Sequence, residues 1–280
     1  MKNSFSTKTH WHLIEKTTSR ISTISNDLPK AIEREELRLH YQPKVDLVTG
    51  KVVGLEALIR WEHPELGLIF PNEIIPVAEE LAEITTIGNW VLSQACRQSK
   101  EWQDNGYPPM IMSVNLSMQQ FTSGDLVATI EGTLNEVQLL PRYLELEITE
   151  TMTANIPETI QTLKRLKSLG VRISIDDFGT GYSNLTHLKN FPVDVLKIDQ
   201  SFIRDLTENP IDQAIVRTII HLADDLKLEV VAEGIETADH FRFLKDHNCL
   251  VGQGYLFSKP VESRFLIEKI HFIESGKYLA

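Results

Sequence analysis

Apolar and polar residues alternate with two different periods along most of the chain. Short apolar runs bounded by turn residues predict β-strands. Seven such runs are Val52–Arg60, Met110–Leu116, Tyr143–Ile148, Val171–Asp176, Val193–Ile198, Glu229–Glu233 and Leu250–Tyr255. Between these runs apolar residues recur every three or four positions, which is typical of helices that bury one face. The pattern therefore predicts a regular alternation of strands and helices.

Three of the helical segments carry clear start or stop signals. One begins after Pro210, a favoured first-turn residue, and its apolar residues are spaced by four, four, three and four. A second is predicted over Leu126–Val137, with Asp125 as the N-cap. A third runs over Pro157–Leu169 and stops at Gly170. These signals predict where the three helices begin and end.

Strand–helix alternation over about 250 residues predicts a parallel sheet covered by helices, and a (β/α)8 barrel fits that length. An open doubly wound sheet is the alternative, but no GxGxxG fingerprint follows the first strand. The opening segments Leu37–Asp46 and Val52–Arg60 are joined by a turn at Thr49 and Gly50, which predicts a hairpin. We therefore expect a modified (β/α)8 TIM-like barrel with one antiparallel strand.

The chain is expected to form one domain from residue 28 to residue 280. Residues 1–27 are rich in Ser, Thr and Lys and only weakly periodic, which predicts a tail or a short helix outside the main core. No Pro-, Gly- or Ser-rich linker follows Asp27. The start of the chain lacks the apolar centre of a signal peptide, and no apolar run is long enough to cross a membrane. We expect a cytoplasmic location.

Charge and cysteine content narrow the function classes. The formal net charge of −11 argues against salt-sensitive binding to a nucleic-acid polymer. A small phosphate ligand remains compatible with it if local basic side chains or metal ions are present. Cys96 and Cys249 are too few for a disulfide framework or a Cys-rich zinc site, so we expect two reduced, buried thiols.

One polar residue falls late in most of the strand runs. The carboxyl ends of barrel strands converge on one mouth, so these residues should meet there. The set is Glu56, Asn115, Glu147, Asp176, Asp177, Lys197, Glu233 and Gln253. Five carboxylates beside one ammonium should raise several pKa values unless cations bind. Oxygen ligands favour Mg²⁺ or Mn²⁺ over zinc, and the Asp176–Asp177 doublet could serve two ions about 4 Å apart.

Each of these residues also has an ordinary structural interpretation. A strand-end Glu is often solvated, and the Asp176–Asp177 doublet before FGTG could be a polar turn. Lys197 could be paired at the surface, and Glu236 could be a first-turn helix acid. Recurrence at the same end of successive strands favours the shared site.

The segment Glu56-Ala57-Leu58, followed by Ile59-Arg60-Trp61, resembles the signature of the EAL-domain cyclic di-GMP phosphodiesterases. The likeness extends from about Leu28 over nearly the whole chain. Its segments, in order, are YQP, WEHPELGLIFPNEIIPVAEE, SVNLS, LELEITE, DDFGTGYSNL, DVLKIDQSFI, VAEGIET and GQGYLFSKP. The resemblance implies a barrel with one antiparallel strand. It also implies hydrolysis of one phosphodiester bond of cyclic di-GMP, which yields linear pGpG.

The resemblance also assigns roles to residues. The implied ligands of two Mg²⁺ or Mn²⁺ ions are Glu56, Asn115, Glu147, Asp176, Asp177 and Glu233. Lys197 would stand near the nucleophilic water and would either orient it or serve as its general base, and Gln253 would help position that water or the second metal. Glu56 and Glu233 are also expected to be catalytic. The implied substrate-binding residues are Gln42, Leu58, Arg60, Asp199 and Glu236. Glu150 would hold the loop that begins at Asp177.

Two rival functions remain at this point. One is a cyclic di-GMP receptor that binds without turnover and signals to a regulatory protein partner. The other is a different metal-dependent barrel enzyme, such as a lyase. The resemblance implies a homodimer, and Ca²⁺ is expected to inhibit because its coordination is larger and looser than that of Mg²⁺.

Overall fold

The computed structural model of the chain describes residues 19–122, 125–150, 152, 156–181, 188–189 and 191–279. These residues form ten strands in one sheet. The strands are β1 (Leu37–Asp46), β2 (Val52–His63), β3 (Gly67–Ile69), β4 (Ile111–Asn115), β5 (Leu144–Thr149), β6 (Arg172–Phe178), β7 (Val195–Ile198), β8 (Glu229–Ala232), β9 (Val251–Gln253) and β10 (Val261–Glu262).

Eight of the ten strands close into a barrel. Their order around the ring is β1-β2-β4-β5-β6-β7-β8-β9, and β1 closes it by pairing with both β2 and β9. The strands from β2 to β9 in this ring pair in parallel, whereas β1 is antiparallel to both neighbours. The short strands β3 and β10 add to β2 and β1 outside the ring. The expected barrel with one antiparallel strand is confirmed, and the open doubly wound alternative is wrong.

Helices cover the outside of the barrel. They span residues 19–27, Pro71–Glu80, Ile84–Asp104, Met118–Thr122, Leu126–Val137, Ile156–Leu169, Gln200–Arg204, Pro210–Leu226, Ala238–Asp246 and Ser263–Glu274. Short 3₁₀ turns lie at Leu28–Lys30, Pro141–Tyr143 and Lys277–Leu279. The predicted N-cap is confirmed, because the Asp125 side chain accepts from the Ala128 N–H. The predicted stop at Gly170 is explained by its φ of +94°.

The barrel has an apolar outside and a largely polar inside. On β2, Leu55, Ala57 and Ile59 belong to the main core, which helices cover. A second buried cluster consists of Val195, Val231 and Val251. Each of these valines lies two residues before a polar residue of the predicted site, so valine and polar residue share the inner face of the strand. These three valines form an apolar floor beneath the polar mouth.

The described part of the N-terminal segment packs against the barrel domain. Residues 19–27 are helical, and the Ile24 side chain, 1% exposed, belongs to the main core. Arg20 donates to Glu73 on the helix Pro71–Glu80 at 2.5 Å. The expectation that residues 1–27 lie outside the core is therefore wrong for residues 19–27. Ile24 and Leu28 are four positions apart, so both face the core. Residues 1–18 lie outside the described residues, and the domain boundary at residue 28 stays a prediction.

Cys96 and Cys249 are both buried free thiols, as predicted. Among the helices in the described ranges, we find none whose length and apolar character would allow it to cross a membrane.

Candidate active site

The parallel strands bring most of the predicted site residues to one end of the barrel. Asn115 is the last residue of β4 and lies opposite Glu147 of β5 in the strand register. Thr149, two residues beyond Glu147, lies opposite Asp176 of β6. Glu233 directly follows β8, and its N–H donates to the Ile198 carbonyl at the end of β7. The carboxyl ends of adjacent strands therefore gather these side chains at one mouth.

Lys197 lies at the centre of this cluster and is fully buried. Its Nζ donates to Glu147 Oε2 at 2.5 Å and lies 3.0 Å from Asp176 Oδ1 and 2.7 Å from Glu233 Oε1. Burial alone would lower the pKa of Lys197, but the surrounding carboxylates raise it well above its ordinary value. Lys197 is thus a fixed cation, and the surface interpretation of this residue is wrong.

A second buried ammonium, that of Lys44 on β1, was not predicted. Its Nζ donates to Ser113 Oγ at 2.6 Å and to Glu145 Oε1 and Glu147 Oε1, both at 2.8 Å. Glu147 therefore accepts from two ammonium groups. Burial would raise the pKa of Glu147, but Lys197 and Lys44 together lower it to about 2. The site has two internal cations where the sequence predicted one.

The ion-pair network continues below Lys44. Arg172 on β6 donates through Nε to Glu145 Oε2 at 3.2 Å and through a terminal nitrogen to Glu229 Oε2 at 2.8 Å. Burial opposes ionisation of Glu145, but Lys44 and Arg172 outweigh it and lower its pKa. Positive charge inside the barrel therefore keeps the lower carboxylates ionised without any metal.

A chain of side-chain amides fixes Glu56. Asn115 Nδ2 donates to Glu56 Oε1 at 2.8 Å, and Gln253 Nε2 donates to Glu56 Oε2 at 2.6 Å and to Gln42 Oε1 at 2.9 Å. Gln42 Nε2 in turn donates to the Ser258 carbonyl at 3.1 Å. Within the described residues, the buried Oε1 of Gln253 has no hydrogen-bond partner. An acceptor is therefore left beside Glu56 for a bound water or another donor.

Three carboxylates at the mouth lie close enough to share a cation. Oxygens of Asp176, Asp177 and Glu233 all lie within 4.8 Å of one another. Burial and the charges of Asp176 and Asp199 raise the pKa of Asp177 to about 6. Burial, with Asp176 and Glu56 nearby, raises the pKa of Glu233 to about 8 despite Lys197. The expected rise in pKa values is confirmed for these two residues, whereas the pKa of Glu147 falls because its two ammonium partners are so close.

The donor set fits a hard cation. The predicted ligands offer carboxylate and amide oxygens, and Mg²⁺ or Mn²⁺ prefers oxygen over nitrogen or sulfur. Only Asp176, Asp177 and Glu233 form a compact group of acids in the described part of the chain. Both oxygens of Glu147 already accept from ammonium groups, so Glu147 would have to share an oxygen with the cation. The group of acids could therefore hold a metal ion.

Arg60 and Leu58 lie further along β2 than Glu56. Arg60 is 6% exposed, a terminal nitrogen donates to the Ile59 carbonyl at 2.7 Å, and its buried Nε has no hydrogen-bond partner among the described residues. Leu58 is half-buried and lines a cavity of about 450 Å³ that also reaches Asn115. The other walls of this cavity come mainly from the helices Pro71–Glu80 and Ile84–Asp104. It offers an apolar surface beside the polar cluster.

The remaining predicted residues lie around the cluster. Asp199 caps the helix Gln200–Arg204 by accepting from the Ser201 N–H at 3.0 Å, and it also hydrogen-bonds to Asp177. Glu150 Oε2 accepts from the Gly179 N–H at 3.3 Å, so Glu150 contacts the loop that follows Asp177. Residues 182–187 of that loop lie outside the described residues.

Glu236 is not part of the cluster. It is exposed, and in the described part of the chain its side chain makes no hydrogen bond or ion pair with the cluster. The interpretation of Glu236 as a first-turn acid is wrong, because Thr237 is the N-cap and the helix begins at Ala238. The role of Glu236 in substrate binding stays a prediction.

The fold and the site together define a class, the (β/α)8 barrels with a cluster of carboxylates around a buried lysine at the mouth. The family model described as the EAL domain matches residues 25–260. The chain belongs to the EAL domain family.

Three similar proteins extend this result. The bifunctional diguanylate cyclase/cyclic di-GMP phosphodiesterase MucR of Pseudomonas aeruginosa is 44% identical over 246 residues, which are 88% of this chain and 36% of MucR. The cyclic di-GMP phosphodiesterase NbdA of the same organism is 42% identical over 239 residues, 85% of this chain and 30% of NbdA. The solved structure of the PaMucR phosphodiesterase in complex with c-di-GMP has a TM-score of 0.84 and 44% identity, covering 87% of this chain and 99% of that chain. This chain spans about one third of the length of the two curated relatives.

Proposed function

We propose that the chain is a metal-dependent phosphodiesterase that hydrolyses cyclic di-GMP to linear pGpG. The observation that carries the proposal is the group of Asp176, Asp177 and Glu233, whose oxygens lie within 4.8 Å of one another beside Lys197. Burial and the neighbouring carboxylates raise the pKa values of Asp177 and Glu233 even with Lys197 beside them, which supports a site that would gain from a bound cation. Relatives named as cyclic di-GMP phosphodiesterases support the choice of substrate.

Six residues would hold two Mg²⁺ or Mn²⁺ ions: Glu56, Asn115, Glu147, Asp176, Asp177 and Glu233. When bound, a pair of hard dications makes a nucleophilic water available at neutral pH and offsets charge on the phosphate. Strands β2, β4, β5 and β6 each contribute at least one of these six residues, and Glu233 directly follows β8, so the donors meet at one mouth of the barrel.

Lys197 is proposed to orient the nucleophilic water rather than to accept its proton. Its pKa is raised by the carboxylates around it, so the amine keeps its proton near neutrality and remains a hydrogen-bond donor. Gln253 is proposed to accept from the same water through Oε1, the buried acceptor without a partner among the described residues. A donor and an acceptor together would fix the direction of attack.

Arg60 is proposed to bind a phosphate oxygen of the substrate. Its buried Nε has no hydrogen-bond partner among the described residues, and a phosphate would supply the missing acceptor. Gln42 and Leu58 would contact a base, Leu58 through the apolar cavity beside Asn115. Asp199 and Glu236 would complete the substrate site at its edge, and Glu150 would hold the loop after Asp177.

We further propose that the domain acts as a homodimer in the cytoplasm. A regulatory protein partner would fit the place of cyclic di-GMP hydrolysis in bacterial signalling. The oligomeric state in solution, measured with and without substrate by light scattering, tests the dimer.

The test of the function is product release by the purified protein. Cyclic di-GMP is incubated with Mg²⁺ or Mn²⁺, and pGpG is quantified by chromatography, with chelator and Asp176→Asn as controls. We expect metal-dependent pGpG from the wild type alone. Tight binding without product would identify a receptor instead, and absence of binding at any metal concentration would favour a different metal-dependent barrel enzyme.

A further inference from the structure

Arg60 differs from the other buried basic side chains of the barrel. Lys44 and Lys197 each contact at least two carboxylates. Arg60 is also buried, yet across the described ranges it forms no ion pair, and its hydrogen bond goes to the neighbouring Ile59 carbonyl. A buried cation without an anionic partner is unfavourable unless another group compensates for it.

An aromatic ring lies against this guanidinium. Strand β3 pairs with β2 so that Ile69 lies opposite Trp61, and the next residue, Phe70, lies beside Arg60. The Arg60 Cζ is 5.2 Å from the centroid of the Phe70 ring. This distance is within the range of a cation–π interaction.

The side chain of Phe70 lies at the surface and contributes little to the packing of the core. It is 47% exposed, whereas the preceding Ile69 is fully buried in the core. Phe70 is the N-cap residue of the helix Pro71–Glu80, but a phenyl ring cannot accept a capping hydrogen bond. An exposed phenylalanine at the mouth is therefore not explained by packing or by helix capping.

We propose that Phe70 is a positioning residue: its ring holds the Arg60 guanidinium in the orientation that binds the substrate phosphate. An aromatic face stabilises the positive charge without using any N–H donor, so the donors stay available for phosphate oxygens. A carboxylate partner would occupy those donors and compete with the phosphate. This inference rests on the proposed function, because it assigns Phe70 a role in binding cyclic di-GMP.

The test compares matched variants in binding and in turnover. Phe70→Leu keeps an apolar side chain but removes the aromatic face, and Phe70→Tyr keeps the face. The control is Phe272→Leu, since Phe272 is 41% exposed and has its own cation, Lys269, 5.8 Å from its ring centroid. The Kd for cyclic di-GMP is measured by calorimetry with Ca²⁺, and kcat and KM are measured with Mg²⁺.

Phe70→Leu is expected to raise Kd and KM by about two- to tenfold with kcat and Tm nearly unchanged. Phe70→Tyr and Phe272→Leu should match the wild type. In an Arg60→Gln background, Phe70→Leu should cause no further loss, because its effect acts through Arg60.

Equal Kd values for Phe70→Leu and wild type would overturn this inference alone. The same loss in the Arg60→Gln background, or no rescue by Phe70→Tyr, would overturn it as well. If the wild type bound no cyclic di-GMP, the proposed function would fail first and the role of Phe70 would fall with it.

Discussion

Replacing Lys44 by Met should destabilise the whole domain, even though Lys44 lies beneath the mouth and outside the set of predicted ligands. Lys44 is 3% exposed, and its ammonium donates to Ser113, Glu145 and Glu147. Met has a similar shape but no charge, so the substitution would leave two buried carboxylates short of a partner. Removing one partner of a buried ion pair costs about 3–5 kcal/mol.

The remaining contacts set the expected size of the effect. Glu147 keeps Lys197, and Glu145 keeps Arg172, so we expect the lower end of that range, about 3 kcal/mol. For a domain of this size each kcal/mol lowers Tm by about 2–4 °C, so Tm should fall by about 6–12 °C.

Urea denaturation and thermal melting of the metal-free protein measure the effect. The control is Lys100→Met, because Lys100 pairs with Asp104 on an exposed helix face and should change the free energy of unfolding by less than about 0.5 kcal/mol. The double variant Lys44→Met/Glu145→Gln removes the ammonium and one of its two carboxylate partners, and it should recover about 1 kcal/mol or more relative to Lys44→Met. Lys44→Met with wild-type stability, or a double variant no more stable than the single one, would refute the reasoning.

Four further outcomes are expected. Asp176→Asn should abolish turnover without unfolding the protein, since it replaces one carboxylate oxygen by an amide nitrogen and removes the negative charge. Lys197→Ala should lower kcat about a hundredfold or more with a smaller change in Kd for cyclic di-GMP. Near-normal kcat in either variant would contradict the assigned roles. Ca²⁺ in place of Mg²⁺ should permit binding but slow hydrolysis, and full activity with Ca²⁺ would contradict the proposed metal geometry. The affinity for Mn²⁺, measured by calorimetry, should rise from pH 6 to pH 8. Asp177 and Glu233 have raised pKa values and must lose protons to bind a cation. An affinity independent of pH would show that these protons are not displaced.

The raised pKa of Glu233 also makes the stability of the metal-free protein depend on pH. Glu233 has a pKa of about 8 when folded and an ordinary, lower value when unfolded, so the folded state holds the extra proton between those two values. Its contribution to stability is present below the unfolded pKa and is lost as pH rises toward about 8. The increase in Tm on adding Mn²⁺ should consequently be larger at pH 8 than at pH 6.

The sequence predicts the barrel and its mouth well because both follow from simple periods. Alternation along a strand places Glu56, Asn115 and Glu147 on inner faces, and parallel pairing brings their strand ends together. Lys44 was missed because β1 runs antiparallel to the other strands of the ring. A residue late in β1 therefore lies nearer the opposite end of the barrel than a residue late in one of the parallel strands. The pattern of polar residues at the carboxyl ends of the parallel strands therefore does not reveal the ion pairs beneath the mouth.

Contacts between distant segments explain the other differences. Residues 19–27 have weak periodicity. The burial of Ile24 depends on the helix Pro71–Glu80, about fifty residues further along the chain, and Arg20 is paired with Glu73 on that helix. Strand β3 has three residues, too few for a periodic signal, yet it places Phe70 beside Arg60. The sequence identified Arg60 through the family resemblance and gave no sign of the ring against it.

The most direct test of the account is anomalous diffraction from crystals of the protein soaked in Mn²⁺ with cyclic di-GMP. We expect two manganese peaks at the barrel mouth, one of them among Asp176, Asp177 and Glu233, with the substrate phosphate between the metals and Arg60. A map without manganese at those carboxylates, or with cyclic di-GMP bound elsewhere on the protein, would contradict the proposal that this cluster of acids hydrolyses the dinucleotide.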